Sequence, residues 1–321
     1  MPDNGVPVKP LTLKAPAKIN LGLVVKGKRA DGYHELETLM QMVALYDRIT
    51  LVPQASGIRV MCDTPGVPTG RSNLAYRAAQ ALRQVAGIRK GVRIVLEKNV
   101  PTAAGLGGGS SDAAATLAGL VKLWGLRGMH RKDLMAVAAT LGSDVPFFLF
   151  GPAALARGRG ELLDAVPPAP ECWVVLVTPG VRVSTAWVYR NYERRAAGLT
   201  TPPNRIRLLQ LVLFNQDLGG LARHLHNDLE PVTAARYPQV RAIKTKLVEA
   251  GALGACMSGS GPTVFGLFQS REHARRAQRR MLRNGWRAVL AKVLSVSPLE
   301  ALIAETPSGI GRSAAARRCG R

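Results

Sequence analysis

Pro101-Thr-Ala-Ala-Gly-Leu-Gly-Gly-Gly-Ser-Ser-Asp-Ala-Ala-Ala115 is the stretch on which the reading of this chain turns. Gly105, Gly107, Gly108 and Gly109 remove side chains from a short loop, so backbone N–H groups can converge on one point without Cβ obstruction. Leu117, Leu120, Val121 and Trp124 follow at i, i+3, i+4 and i+7, the spacing of a one-sided buried helix starting near Ser110 or Ser111. Val92, Ile94 and Leu96 alternate just upstream as a strand. A strand, a glycine loop and a helix N-terminus in that order make an anion cradle, because free amides and the positive end of the helix dipole favour phosphate there. The competing reading is a serine-capped turn. The loop is not a Walker A sequence, since no Gly-Lys-Ser/Thr follows, and the Val-Ala-Ile-Lys strand of protein kinases is missing.

The 321 residues are 47% hydrophobic and 20% charged, an ordinary globular composition long enough for two domains. No apolar run is long enough to cross a bilayer and the first residues lack a basic segment followed by an apolar one, which leads us to expect a cytoplasmic protein. Cys62, Cys172, Cys256 and Cys319 show no C-x-x-C spacing, so neither a zinc site nor a disulfide framework is expected. The net charge of +23 is spread along the chain. It reads as a solvated arginine-rich surface with some attraction for anionic small molecules, against the alternative of RNA binding by counterion release.

Upstream, Leu11–Val25 alternates apolar and polar residues on either side of Pro16, which predicts a strand with Lys18, Asn20 and Gly22 on one face. That face either meets a substrate or is merely exposed. Asp31-Gly-Tyr-His34 marks a tight turn followed by an aromatic ring and an imidazole, which suit either base stacking or ordinary packing. Strands are expected over 41–52 and 57–61, and then a helix capped by Ser72 or Asn73. Downstream, a helix over 132–141 ends at Gly142. Asp144 is then the lone acid before Pro-Phe-Phe-Leu-Phe150, so it either needs a cationic partner or caps the segment beginning at Pro146.

The Gly158-Arg-Gly160 turn and Pro167-Pro-Ala-Pro170 place a boundary near residue 165. The second half alternates strands (172–178, 253–257, 263–268, 287–294) with helices (208–214, 220–229, 240–250, 271–282), which implies an α+β domain with its helices on one side of a sheet. Ser258-Gly-Ser-Gly-Pro262 is a second glycine-rich loop, read as a hairpin turn. Residues 307–321 carry Gly, Ala and Arg with no apolar period and are expected to be disordered.

Three segments together, Pro16-Ala-Lys-Ile-Asn20, Pro101–Ser111 and Met257-Ser-Gly-Ser-Gly261, resemble the signature motifs of the GHMP kinase superfamily. Asp31-Gly-Tyr-His34 and Ser143-Asp-Val-Pro-Phe147 narrow the resemblance to the branch that phosphorylates 4-diphosphocytidyl-2-C-methyl-D-erythritol in the non-mevalonate isoprenoid route. It implies an α+β two-domain fold: a ribosomal-S5-domain-2-like ATP-binding domain (1–165) and a ferredoxin-like C-terminal domain (166–306), with the active site in the cleft between them and 307–321 as a basic tail. It also implies transfer of the γ-phosphoryl group of ATP to a tertiary alcohol, where positioning and charge stabilisation supply most of the rate.

By the same resemblance, Asp144 takes the hydroxyl proton and Lys18 sits against it, while Asn20 orients the substrate and Thr185 borders the pair. Tyr33 and Tyr189 sandwich cytosine, and His34 reads its edge. Asn73 and Lys98 lie near adenine, Pro101, Gly105, Leu106, Gly107, Gly108, Gly109, Ser110 and Ser111 cradle the phosphates, and Gly259 and Ser260 support the substrate side. Mg²⁺ is implied by ATP; no acid matches the glutamate that holds it in sister kinases, which leaves Ser111 as a candidate contact. The expected partner is the small-molecule substrate alone, with the protein a monomer or weak homodimer. The alternatives are another GHMP kinase, acting on mevalonate or homoserine, or a basic RNA-binding protein on a kinase fold.

Overall fold

The structure is a computed structural model that describes residues 9–196 and 204–304; the arginine-rich stretch 307–321 lies outside the described residues. The chain opens with two long antiparallel strands, β1 (Leu11–Lys28) and β2 (His34–Gln54). Next come β3 (Ile58–Cys62), helix α1 (Leu74–Val85) and β4 (Gly91–Glu97), with β3 and β4 parallel. Helices α2 (Gly108–Trp124), α3 (Arg131–Leu141) and α4 (Val145–Phe150) follow, then a hairpin of β5 (Ala153–Gly158) and β6 (Leu162–Ala165). Strand β2 is long enough to pair β4 near one end, over Arg48–Gln54, and β5 near the other, over Leu36–Gln41.

The second sheet begins with β7 (Trp173–Thr178). After helices α5 (Thr185–Ala196), α6 (Arg205–Phe214) and α7 (Leu218–His224), the two-residue β8 (His226–Asn227) returns to the first sheet, parallel to β1. Helices α8 (Glu230–Arg236) and α9 (Gln239–Glu249), strands β9 (Gly254–Met257) and β10 (Val264–Phe268), helix α10 (Arg271–Arg283), strand β11 (Arg287–Lys292) and α11 (Glu300–Ala304) complete it. The order β11-β7-β10-β9 is antiparallel throughout. The fold is therefore α+β, with the strands changing sheet between Ala165 and Trp173.

Three apolar clusters hold these layers. One lies between the first sheet and α1 to α4, and a second joins Ala17, Ile19 and Leu21 of β1 to Val174, Leu176 and Phe265 of the second sheet and to α6 and α7. The third packs α9 and α10 against the outer face of the second sheet. Burying both faces of β1 and the inner face of β7 and β10 removes enough apolar surface to hold the two sheets together without a covalent tie.

The face assignment within β1 departs from simple alternation. Leu13 and Ala15 join the helix-side cluster, whereas Ala17, Ile19 and Leu21 join the cluster between the sheets. The parity reverses at a register shift between Pro16 and Ala17. That reversal turns Lys18 and Asn20 toward the helices and the cleft, and both are buried, with 4% and 2% of their surface exposed. A second shift between Asn20 and Gly22 reverses it again. Gly22 consequently does not share their side: a Cβ there would lie 2.4 Å from Leu209 Cδ1 of α6.

Other sequence expectations need similar correction. Helix α2 starts at Gly108, ahead of the serines, because Gly107 at φ +70° turns the chain into it. The helix expected over 220–229 ends at His224, since Asn227 and Asp228 are drawn to β1, where Asp228 N donates to Leu23 O at 3.0 Å. Residues 153–165, read from their Gly and Pro content as a turn and connector, form the β5–β6 hairpin.

Candidate active site

A cleft of about 1070 Å³ opens between the two sheets and gathers the three glycine- and lysine-bearing motifs. On its floor the phosphate loop is stitched to both neighbours. Lys18 N donates to Leu106 O at 3.0 Å, and Ser258 Oγ donates to Gly105 O at 2.9 Å. Gly105 adopts φ +76°, and a Cβ on it would stand 2.1 Å from Ser258 O, so glycine is required by both torsion and space. Gly107 is similarly pressed against Phe148 and Lys18. No side chain caps the start of α2, so its first N–H groups face the cleft as orphan donors.

Lys18 and Asp144 meet beside this loop. Lys18 Nζ lies 3.7 Å from Asp144 Oδ2, with the lysine side chain 5% and the aspartate side chain 38% exposed. The ammonium is held from the other side by Asn20 Oδ1 at 2.7 Å. Asn20 Nδ2 in turn donates to Thr38 Oγ1 at 2.8 Å, and Thr38 donates to Gly22 O at 2.7 Å. This chain fixes the asparagine amide with its oxygen toward the lysine. Asp144 precedes α4 but makes no side-chain capping bond, which leaves its carboxylate turned to the cleft.

The far end of the cleft is aromatic. His34 stacks on Tyr189 with ring centroids 5.0 Å apart and planes 27° from parallel. His34 covers one face of the Tyr189 ring in this conformation, whereas the resemblance puts cytosine between Tyr189 and Tyr33. Tyr33 is 55% exposed and lies under the Arg159 guanidinium, 5.1 Å from its centroid. Burial pushes the Tyr189 phenol upward in pKa, and the charge of Asp144 adds to that shift, which places the aromatic pair within electrostatic reach of the acid. Thr185 Oγ1, at the start of α5, and Ser260 Oγ, in the second glycine-rich loop, are 2.8 Å apart on the cleft wall.

Of the expected site residues, Lys18, Asn20, Tyr33, His34, Asn73, Lys98, Pro101, Gly105, Gly107 to Gly109, Ser110, Asp144, Thr185, Tyr189, Gly259 and Ser260 all line this one cleft. Leu106 and Ser111 do not. Leu106 is buried and contributes its carbonyl to Lys18, and Ser111 is fully buried with its hydroxyl unpartnered. Asn73 uses Oδ1 to cap α1 at Ala75 N (2.8 Å) and Nδ2 to reach Pro68 O (2.6 Å), so much of its capacity is structural.

Lys98 has a partnership the sequence did not show. Its ammonium is buried between Asp47 and Asp112, with Asp112 Oδ2 at 2.5 Å. Asp47 Oδ1 also accepts from Asn99 N (2.6 Å) and Val100 N (2.8 Å), so the cluster anchors the strand end that feeds the glycine loop. Burial works against the ammonium, and the charges of Asp112 and Asp47 outweigh it, so its pKa is raised. Asp112 is pushed up to about 7, first by burial and then by sharing one lysine with a second carboxylate, and its Oδ1 has no partner. Thr38, Asp47 and Asp112 were all missed. The usable signal was Asp112, a lone acid in the otherwise small and apolar first turns of a buried helix.

Among the described residues no group of three or more His, Cys, Asp or Glu is placed to hold a metal ion, and the buried hydroxyl of Ser111 does not reach the cleft. The residues therefore offer no protein cage for Mg²⁺, which ATP phosphates and water can ligate in its place. No described helix is long and apolar enough to cross a membrane.

Comparison with known proteins agrees with this geometry. Family models described as GHMP kinases N terminal domain and GHMP kinases C terminal match residues 73–152 and 209–288. The chain is 48% identical over 291 residues to a 4-diphosphocytidyl-2-C-methyl-D-erythritol kinase of Geobacter metallireducens, spanning 89% of this chain and 100% of that protein. It is 50% identical over 276 residues to the protein of that name from Syntrophotalea carbinolica, spanning 85% and 95%. A crystal structure of a 4-(cytidine 5'-diphospho)-2C-methyl-D-erythritol kinase matches with TM-score 0.75 and 41% identity, covering 88% of this chain and 99% of that one. Homoserine kinase from Cytophaga hutchinsonii shares the fold at 22% identity, with TM-score 0.69 over 90% and 95% of the two chains.

Proposed function

The chain belongs to the GHMP kinases, and within them to the 4-diphosphocytidyl-2-C-methyl-D-erythritol kinases, and from that premise we propose that it transfers the γ-phosphoryl group of ATP to the 2-hydroxyl of 4-diphosphocytidyl-2-C-methyl-D-erythritol. The products are the 2-phosphate and ADP. One observation carries the reading: a buried lysine and a half-exposed aspartate converge, 3.7 Å apart, beside an uncapped helix N-terminus preceded by a glycine loop.

The loop amides at 105–110 hold the triphosphate by hydrogen bonds and helix dipole. Asp144 accepts the proton of the alcohol, whose oxygen forms the new bond to the γ-phosphorus as the bond to the bridging β–γ oxygen breaks, and ADP leaves with that electron pair. Lys18, fixed by Asn20, faces the negative charge gathering on the transferred group. Its ammonium is already positioned and largely out of water, so little reorganisation is needed as that charge develops. Mg²⁺, when bound with ATP, supplies further neutralisation of the phosphates. His34, Tyr189 and Tyr33 supply the aromatic surface for cytosine, a feature without use for an alcohol lacking a base. The described residues up to 165 form the ATP-binding half and the described residues after 165 the other half of the cleft, in a cytoplasmic enzyme.

The test is ADP release with a panel of acceptors. Diphosphocytidyl-methylerythritol should stimulate it while mevalonate and homoserine leave it at background; the opposite preference removes the assignment. Salt-sensitive RNA binding without ATP turnover would point to a different class of protein altogether.

A further inference from the structure

The turn between β5 and β6 has so far had no role. Gly158 at φ +72° and Gly160 at φ +112° bracket Arg159, and Arg159 N donates to Glu161 Oε2 at 2.7 Å. The turn touches the chemical centre, since a methyl group built on Gly160 would lie 3.9 Å from Asp144 Oδ1 and 3.7 Å from Ser143 Cβ. From that footing the arginine side chain runs outward to place its guanidinium over the Tyr33 ring at 5.1 Å. Arg159 therefore bridges the distance between the acid that receives the alcohol proton and the aromatic end of the cleft. Its side chain is 35% exposed and lines the cavity; among the described residues its ion pair, Arg159 Nε to Glu161 Oε1, is long at 3.5 Å, and the charge of Asp31 is felt at longer range. Most of the guanidinium fork remains open to an incoming acceptor.

A ligand with its alcohol at Asp144 and its base among His34, Tyr189 and Tyr33 has to lay whatever joins them past this arginine. In the substrate assigned above, that joining group is a diphosphate. We propose that Arg159 is a specificity-determining residue that binds the substrate diphosphate, so that the cleft selects a nucleoside diphosphate over a nucleoside monophosphate. The proposal rests on the functional reading given above. A planar guanidinium suits it because two N–H groups can meet two phosphate oxygens at once, and its stack on Tyr33 holds the fork in place before the ligand arrives.

The experiment compares CDP and CMP binding by calorimetry, and steady-state kinetics, in the wild type and in Arg159→Ala and Arg159→Lys. Wild-type protein should prefer CDP. Arg159→Ala should weaken CDP about tenfold to a hundredfold, the loss of one or two charge-assisted hydrogen bonds, and CMP by much less. The KM for diphosphocytidyl-methylerythritol should rise in step while the KM for ATP stays constant, and Arg159→Lys should recover part of the loss. If Arg159→Ala weakens CDP and CMP equally, or neither, the arginine does no more than brace Tyr33 and the inference is wrong. A wild type that turns over mevalonate or homoserine in place of the cytidine substrate overturns the functional reading and this inference with it. Normal turnover of the cytidine substrate with an unchanged CDP-to-CMP ratio in the variant overturns this inference alone.

Discussion

Lys18 Nζ is bound more closely to Asn20 Oδ1, at 2.7 Å, than to Asp144 Oδ2, at 3.7 Å. The lysine is thus positioned by its own strand and does not depend on the aspartate for its place. Asp144, at 38% side-chain exposure and without a capping bond, is correspondingly dispensable for folding. Asp144→Asn should therefore keep its thermal midpoint and its affinity for ATP, and lose about a hundredfold to ten-thousandfold in kcat, the usual worth of a general base. Near-normal kcat in that variant would place the base elsewhere.

Two glycines of the phosphate loop should respond in opposite ways. Gly105→Ala forces a left-handed backbone on alanine and drives its Cβ into Ser258 O, so folding stability should fall by about 1–3 kcal/mol and ATP binding should weaken with it. Gly109 lies within α2, has no positive φ, and meets nothing nearer than Leu74 Cδ1 at 3.6 Å. Gly109→Ala should leave the fold as stable or up to about 1 kcal/mol more so. It should still raise the KM for ATP, because the new methyl stands at the mouth of the cradle. Denaturant titration alongside nucleotide binding separates the two effects.

What the sequence made legible was the local chemistry. The cradle shows in four glycines between an alternating strand and a periodic helix, and the resemblance supplied the pairing of Lys18 with Asp144. The orientation of Lys18 was only half legible. Residues 11, 13, 19, 21, 23 and 25 share one parity in the sequence, but two register shifts against β2 turn β1 over twice, and such shifts depend on a partner strand that periodicity within β1 does not report. The Asp47–Lys98–Asp112 cluster was illegible for a related reason. Its members come from a strand, a loop and a helix; only Asp112 stands out in its own segment, and nothing in the sequence joins it to Asp47 and Lys98. The β5–β6 hairpin was lost because its turn residues outweighed the short Ala-Ala-Leu-Ala run that pairs with β2.

The cluster around Lys98 has a pH signature. Asp112 titrates at about 7 in the folded protein, raised from 3.8 first by burial. Between about pH 4 and 7 the native state holds a proton that the unfolded chain has released, so stability falls as pH rises through that window and levels off above it. Asp112→Asn removes the titrating group and leaves Lys98 paired with Asp47. Unfolding free energies from pH 4 to 8 should show a decline in the wild type that is flatter in the variant. Parallel curves would mean that Asp112 is ionised throughout.

Gln41 ties the halves of the molecule together. It is fully buried on β2, and its amide nitrogen lies 2.9 Å from Met42 O, 3.2 Å from Pro152 O and 2.8 Å from Leu294 O, while Oε1 accepts from Ala169 N at 2.8 Å. Ala169 and Leu294 flank the strands of the second sheet, so one side chain satisfies backbone groups on both sides of the junction. Gln41→Leu keeps the bulk but strands Ala169 N and Leu294 O without partners, each worth about 1–3 kcal/mol when buried and unpaired. The expected result is a loss of about 2–4 kcal/mol in urea denaturation with an unchanged slope. Because Gln41 does not line the cleft, kcat per folded molecule should hold. A variant as stable as the wild type would mean that water or a small rearrangement replaces the glutamine, and that the apolar cluster between the sheets suffices to join them.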